Sequence, residues 1–242
     1  MRNIKLVLEY DGSDFFGWQR QPLLRTVQGE VEKAFQSLTQ KEVKITAAGR
    51  TDTGVHALGQ AANFQTESTL PATTFYNGGN ALLPDDIRIL SVEEVAESFN
   101  ARFSAIARHY KYVMCTKPTA IHRKFCWHIK ETIDVSRMQQ ACPFLIGEKD
   151  FTSFCQAGAE LDNFLCDVRY ARFAQTGEQI VFEVGANRFL HNMVRILSGT
   201  LLSIGQGKRQ PQELKDILEA KDRRIAGRTA PARGLFLVRV DY

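Results

Sequence analysis

The sequence predicts an α+β fold built from two sheet-and-helix halves. Three observations carry that prediction. Short runs of alternating apolar and polar residues recur along the chain, beginning with Ile4, Leu6, Leu8 and Tyr10, and read as half-buried strands. Between them lie stretches with apolar residues at helical spacing, such as Val27, Val31, Ala34, Phe35 and Leu38. The interleaving then starts afresh, so residues 1–104 and 105–242 are the expected N-terminal and C-terminal halves. Strands and helices interleaved in this way imply two sheets merged or packed together.

The first strand ends at Asp11-Gly12-Ser13-Asp14, and Thr26 is placed to cap the helix that follows. A short β-like run, Lys44 to Ala48, leads into a glycine-flanked loop, and a strand resumes through Gln60–Gln65. A helical stretch after Pro71 and a strand from Ile87 to Val95 close the first half. The second half opens with a strand over Arg108–Met114, followed by a helix from Val135 to Ile146 interrupted near Pro143. Val168–Phe173 and Ile180–Val184 read as a hairpin joined across Thr176-Gly177-Glu178. A long helix is expected from about Leu190 to Ile204, and a shorter one from Pro211, a favoured first-turn position. Phe236, Val238, Val240 and Tyr242 mark a last strand within the C-terminal half.

Composition sets broad bounds. The chain has 242 residues and 44% hydrophobic content, enough for a sizeable core. Its formal charge is +4, from 31 basic and 27 acidic residues, which suits a polyanionic partner without specifying one. The chain starts without an apolar leader and holds nothing close to the ~20 apolar residues of a membrane span. Its five cysteines show no paired spacing, so a reducing cytoplasm with free thiols is the expected setting. His122, Cys126 and His128 are the sharpest zinc candidate. They lack a C-x-x-C element and a matching second pair, so no metal is expected.

The most informative segment is Gly49-Arg50-Thr51-Asp52-Thr53-Gly54-Val55-His56-Ala57. Glycines on both sides let the backbone turn sharply and approach a ligand, and they present one carboxylate, Asp52, on a tight loop. Taken alone, such Gly/Thr/Asp clusters are mostly turns whose side chains bond their own backbone. This string, continued through Leu58-Gly59-Gln60, closely resembles the catalytic loop of the tRNA pseudouridine synthase A (TruA) family. Other segments extend the resemblance over essentially the whole chain: Phe16-Gly17-Trp18-Gln19-Arg20-Gln21, Thr26–Glu30, Leu83–Ile87, Phe99–Ala105, Gly147–Phe154, Phe189–Arg195 and Ala230–Leu235. Asn63 and Asn100 stand where the family usually has histidine, His109 where arginine is common, and Lys149 where histidine is common.

The resemblance implies the pseudouridine synthase fold, with a central, mostly antiparallel sheet and a cleft between the halves. It also implies isomerisation of uridine at positions 38, 39 and 40 of the tRNA anticodon arm, by a homodimer. That reaction breaks the glycosidic C–N bond, turns the base and rejoins it through carbon 5. It involves no redox change and no energy input, so no cofactor is expected. One ionised carboxylate near the sugar–base junction is required, and Asp52 is placed for it.

By the same resemblance Tyr110 stacks on the flipped base and is a candidate to take the carbon-5 proton. Periodicity alone would make Tyr110 a core residue, because it shares a strand face with Tyr112 and Met114. Arg195 lies off the apolar stripe of Leu190, Met193, Val194, Leu197 and Leu201, one turn from His191, so both can face a common cleft. A buried catalytic aspartate needs such a partner to stay ionised. Arg50, Arg20, Arg102 and His191 are further candidate substrate contacts, and Arg25, Arg188, Lys208 and Arg209 candidates for phosphates. Two other classes fit parts of the pattern. An RNA-binding module would leave the Asp52 loop without purpose. A carboxylate hydrolase would need a second acid that is not near Asp52 in sequence.

Overall fold

The computed structural model describes residues 1–158 and 162–242. In chain order the regular elements are β1 (Arg2–Tyr10), α1 (Val27–Thr39), β2 (Thr46–Ala47), β3 (His56–Thr66), α2 (Ala72–Leu82), β4 (Ile87–Val95) and β5 (Ala107–Cys115). They continue with β6 (Trp127–His128), α3 (Val135–Ala141), β7 (Gly147–Asp150), β8 (Leu165–Thr176), β9 (Gln179–Ala186), α4 (Met193–Gly205), α5 (Glu213–Ala220) and β10 (Leu235–Asp241). The fold is α+β. The chain forms two compact units, residues 1–106 with 236–242, and residues 107–235.

In the first unit β1 lies between β4 and β3, antiparallel to both. Its alternation is that expected of a strand with one face in a core, and Ile4, Leu6 and Leu8 are fully buried. Thr26 caps α1 through its hydroxyl, which accepts from Gly29 N at 3.3 Å. The helix then buries Val31 and Phe35. Phe35 packs on Phe64 of β3 and Phe75 of α2, with ring centroids 5.0 and 6.0 Å away. All three rings are buried, and each contributes roughly 2–3 kcal/mol by leaving water. At the opposite face Asn63, one of the departures from the family pattern, is buried and satisfied. Its Nδ2 donates to Asn3 Oδ1 at 2.8 Å and its Oδ1 accepts from Ala101 N at 2.8 Å.

The last strand, expected with the C-terminal half, belongs to the first unit from Phe236 onward. Phe236 and Leu237 pair in parallel with His56 and Ala57 of β3. The Tyr242 hydroxyl donates to Ala101 O at 2.9 Å, and Ile106 N to Asp241 O at 2.9 Å. Pairing at such sequence separation leaves no local signal in the strand itself.

In the second unit β5, β9, β8 and β7 follow one another as antiparallel neighbours, and β6 lies parallel to β5. The hairpin turns at Gly177, with a φ of 56°. The helix expected over Val135–Ile146 stops at Ala141 and continues as a 3₁₀ turn, Cys142–Leu145. Pro143 has no N–H to extend the α-helical ladder. The unit closes around α4, whose residues are nearly all buried, from Met193 through Gly205. No helix among the described residues is long and apolar enough to cross a membrane.

Candidate active site

The Asp52 loop connects β2 to β3, and its backbone is pinned on both sides of the aspartate. Ala48 N donates to Ala61 O at 2.8 Å, and Gln60 Nε2 to Gly49 O at 2.7 Å. Trp18 N donates to Thr51 O at 3.0 Å, and the Thr51 hydroxyl meets the Tyr10 hydroxyl at 2.8 Å. Beyond Asp52, Gly54 N donates to Phe15 O, and Val55 N closes a turn onto Asp52 O at 3.1 Å. Thr51, Val55 and His56 are buried, Arg50 and Thr53 exposed, and Asp52 half-buried. A carboxylate is thus held at the boundary between core and solvent by a backbone hydrogen-bonded on both sides.

Glycines make this bed possible. Gly17 has a φ of +84°, and a Cβ there would lie 2.8 Å from Thr51 O and 3.2 Å from the Asp52 carbonyl carbon. At Gly12 a Cβ would fall 2.0 Å from Val55 O. Gly12 N also donates to Nδ1 of the buried His56 at 3.0 Å. Tyr10, Gly12, Gly17, Trp18 and His56 are therefore supports of the loop. Sequence reading gave them no role, although the Phe16-Gly17-Trp18 motif carried the signal.

The basic residues of the first unit differ in what they touch. Arg50 is exposed beside Asp52. Arg20 reaches Glu32 at 3.4 Å; Glu32 is a buried acid that also accepts from Ile45 N. Arg102 stacks 5.2 Å over the exposed Phe103 ring. Arg25, expected among the phosphate contacts, is a structural clamp instead. It pairs with both oxygens of Asp86 at 2.7 and 2.9 Å, reaches Glu30 at 3.2 Å and lies 4.2 Å over Phe15. The Asp86 bond raises its pKa further, so its charge is committed within the fold.

Tyr110, His191 and Arg195 lie in the second unit. Tyr112 and Met114, on the same face of β5, are fully buried, but Tyr110 is only half-buried. Its ring meets Phe189 edge-on at 5.1 Å. Core packing, which periodicity favoured for Tyr110, describes Tyr112: its hydroxyl donates to Pro231 O at 2.8 Å, and burial raises its pKa. Arg195 lies in the first turn of α4, half-buried. Its Nε donates to Ala230 O at 2.8 Å, its Nη1 to Asn192 Oδ1 at 2.6 Å, and its own carbonyl accepts from Ala230 N at 3.1 Å.

The helix expected from Leu190 begins only at Met193, because Asn192 is left-handed, with a φ of 62°. His191 therefore lies outside the helix and exposed, and the shared-face argument does not reach it. His109, another departure from the family pattern, is buried with its Nδ1 2.8 Å from the Tyr170 hydroxyl.

For zinc, the geometry offers little. Cys126 is buried with its sulfur 2.8 Å from that of Cys115, while His122 is exposed. Among the described residues no three His, Cys, Asp or Glu side chains gather as a metal site.

The tRNA pseudouridine synthase family model matches residues 6–104 and 141–242. A tRNA pseudouridine synthase A of Caldicellulosiruptor bescii is 45% identical over 244 aligned positions, with 100% of both chains covered. That of Francisella tularensis subsp. novicida is 43% identical, covering 100% of this chain and 95% of its own. Among solved structures the likeness is loose: the archaeal box H/ACA sRNP Nop10-Cbf5 complex aligns at 13% identity and a TM-score of 0.36, over 82% of this chain and 44% of that one. The matched segments take in the Asp52 loop and the entry to α4, and the chain belongs to the tRNA pseudouridine synthase family, isomerases that act on tRNA.

Proposed function

We propose that this enzyme converts uridine to pseudouridine at positions 38, 39 and 40 of the tRNA anticodon stem-loop, with Asp52 as nucleophile. The observation that carries the proposal is the loop itself: one half-buried carboxylate on a backbone fixed at Gly49, Thr51, Gly54 and Val55. A carboxylate whose position costs nothing to organise at the moment of reaction is what a nucleophile at a sugar–base junction needs. The bond between ribose C1′ and N1 breaks while Asp52 forms a transient bond to the substrate; the base turns, C1′ bonds to carbon 5, the bond to Asp52 is released, the carbon-5 proton leaves and N1 takes up a proton.

In this reading Tyr110, whose half-buried ring meets Phe189, supplies the stacking surface for the flipped uracil and takes the carbon-5 proton. Arg195 is the cation that the family resemblance assigns to catalysis. Arg50, Arg102, Arg20 and His191 contact the substrate RNA, mainly at phosphates. The enzyme works in the cytoplasm as a homodimer, without metal or cofactor.

The test is to incubate unmodified tRNA with the protein and map the product by mass spectrometry. Pseudouridine at positions 38–40, absent with Asp52→Asn, is the expected result. Released uracil, or RNA bound and unchanged, overturns the activity. Pseudouridine elsewhere in the tRNA overturns the site.

A further inference from the structure

The entry to α4 holds a side-chain relay that the roles given so far do not use. A helix usually starts from a residue in extended conformation whose side chain accepts from an N–H of the first turn. Asn192 does neither. It is left-handed, at φ 62° and ψ 5°, and makes no capping bond with its side chain. Its amide is spent elsewhere: Oδ1 accepts from Arg195 Nη1 at 2.6 Å, and Nδ2 donates to Gln156 Oε1 at 2.9 Å.

The orientation of that amide follows from the chemistry of its partners. A guanidinium has only donors, so the oxygen must face Arg195 and the NH2 group must face an acceptor. Gln156 supplies that acceptor and is itself tied down, its N–H donating to His191 O at 3.0 Å.

Arg195 also occupies a locally unfavourable place, since a cation in the first turn meets the positive end of the helix dipole. Two local preferences are thus overridden within one turn, and both departures serve the same guanidinium. Such conflicts between local and global preference mark functional sites. The bond from Nε to Ala230 O fixes one edge of the guanidinium plane, and the bond from Nη1 to Asn192 Oδ1 fixes another. With both in place the plane cannot swing about the Arg195 stem.

We propose that Asn192 is a positioning residue for Arg195, with Gln156 setting the orientation of the Asn192 amide. This rests on the role given above to Arg195.

Asn192→Gly tests it, because glycine takes the left-handed conformation without strain and the loss of two side-chain hydrogen bonds should lower the melting temperature by only about 2–4 °C. The expected result is a fall in kcat of roughly 10- to 100-fold, the scale of a misplacement of about 1 Å, with KM for tRNA unchanged. Gln156→Ala should give a smaller loss of the same kind. In an Arg195→Met background neither change should cost anything further, because the group being positioned is gone. Parental kcat in Asn192→Gly while Arg195→Met is impaired overturns the inference. So does an equal loss on both backgrounds. An Arg195→Met enzyme as active as the parent would overturn instead the role of Arg195 itself, and this one with it. Should Asn192→Gly fail to fold, Gln156→Ala at its exposed position carries the same comparison alone.

Discussion

The loop carrying Asp52 and the helix entry carrying Arg195 are held in opposite ways. Around Asp52 the restraints are mostly backbone groups: the carbonyls of Phe15, Gly49 and Thr51 and the N–H groups of Trp18, Gly54 and Val55. Around Arg195 they are side chains and one distant residue: Asn192, Gln156 and Ala230. A backbone-held site tolerates many side chains but not an added Cβ, as Gly12 and Gly17 show. At a side-chain-held site a glycine keeps the backbone and removes only the side-chain hydrogen bonds, as at Asn192. The difference predicts which substitutions destroy the fold and which destroy only the chemistry.

The largest effect should come from Asp52→Asn, which keeps every backbone restraint and removes only the charge. Turnover should fall to background, while the thermal midpoint and most of the tRNA affinity remain, since affinity comes from many phosphate contacts. Measurable turnover near the parental rate would mean that the loop presents some other group.

Next is the contrast between Gly17→Ala and Asn192→Gly. The alanine would hold a left-handed φ with its Cβ 2.8 Å from Thr51 O. It should cost roughly 2–5 kcal/mol of stability, together with activity, because the floor of the loop must shift. The glycine loses two side-chain hydrogen bonds but strains no backbone, so it should cost only about 1 kcal/mol. Urea titrations of both proteins decide this, and equal midpoints would break the distinction between the two regions.

A smaller contrast lies within β5. Tyr112→Phe removes the donor to the half-buried Pro231 O and should cost about 1 kcal/mol, with turnover preserved below the melting range. Tyr110→Phe should do the reverse, keeping stability and losing turnover while tRNA still binds. If both lose only stability, Tyr110 is a packing residue like its neighbour.

The smallest effect concerns the thiols. All five cysteines fall in the second unit and are buried. Burial pushes the thiols of Cys126, Cys142 and Cys166 up to about 12. The reactive thiolate is therefore scarce at pH 8, and alkylation of native protein should wait for the second unit to open. The sign for stability follows. The folded state holds these protons more tightly than the unfolded chain, so stability should fall as pH rises above about 9. Rapid native labelling at those three positions would show that this interior is not closed.

Sequence reading located the loop, the capped helix at Thr26, the broken helix at Pro143 and the hairpin across Gly177. Each rests on residues within a few positions of one another. It misassigned Arg25, whose partner Asp86 lies 61 positions away. It carried α4 back through His191, because an apolar stripe does not reveal that Asn192 turns left-handed.

What the sequence determined by itself is what short-range chemistry decides: alternation that makes β1 and β5, spacing that makes α1 and α4, and glycines that allow Asp52 its loop. The tertiary structure decided which charges remain available for a substrate and which are consumed by the fold. It tied Arg195 to Ala230 across 35 positions and gave the last strand to the first unit through β3. A hydrogen bond between distant residues depends on where two elements meet, and neither element carries that information alone.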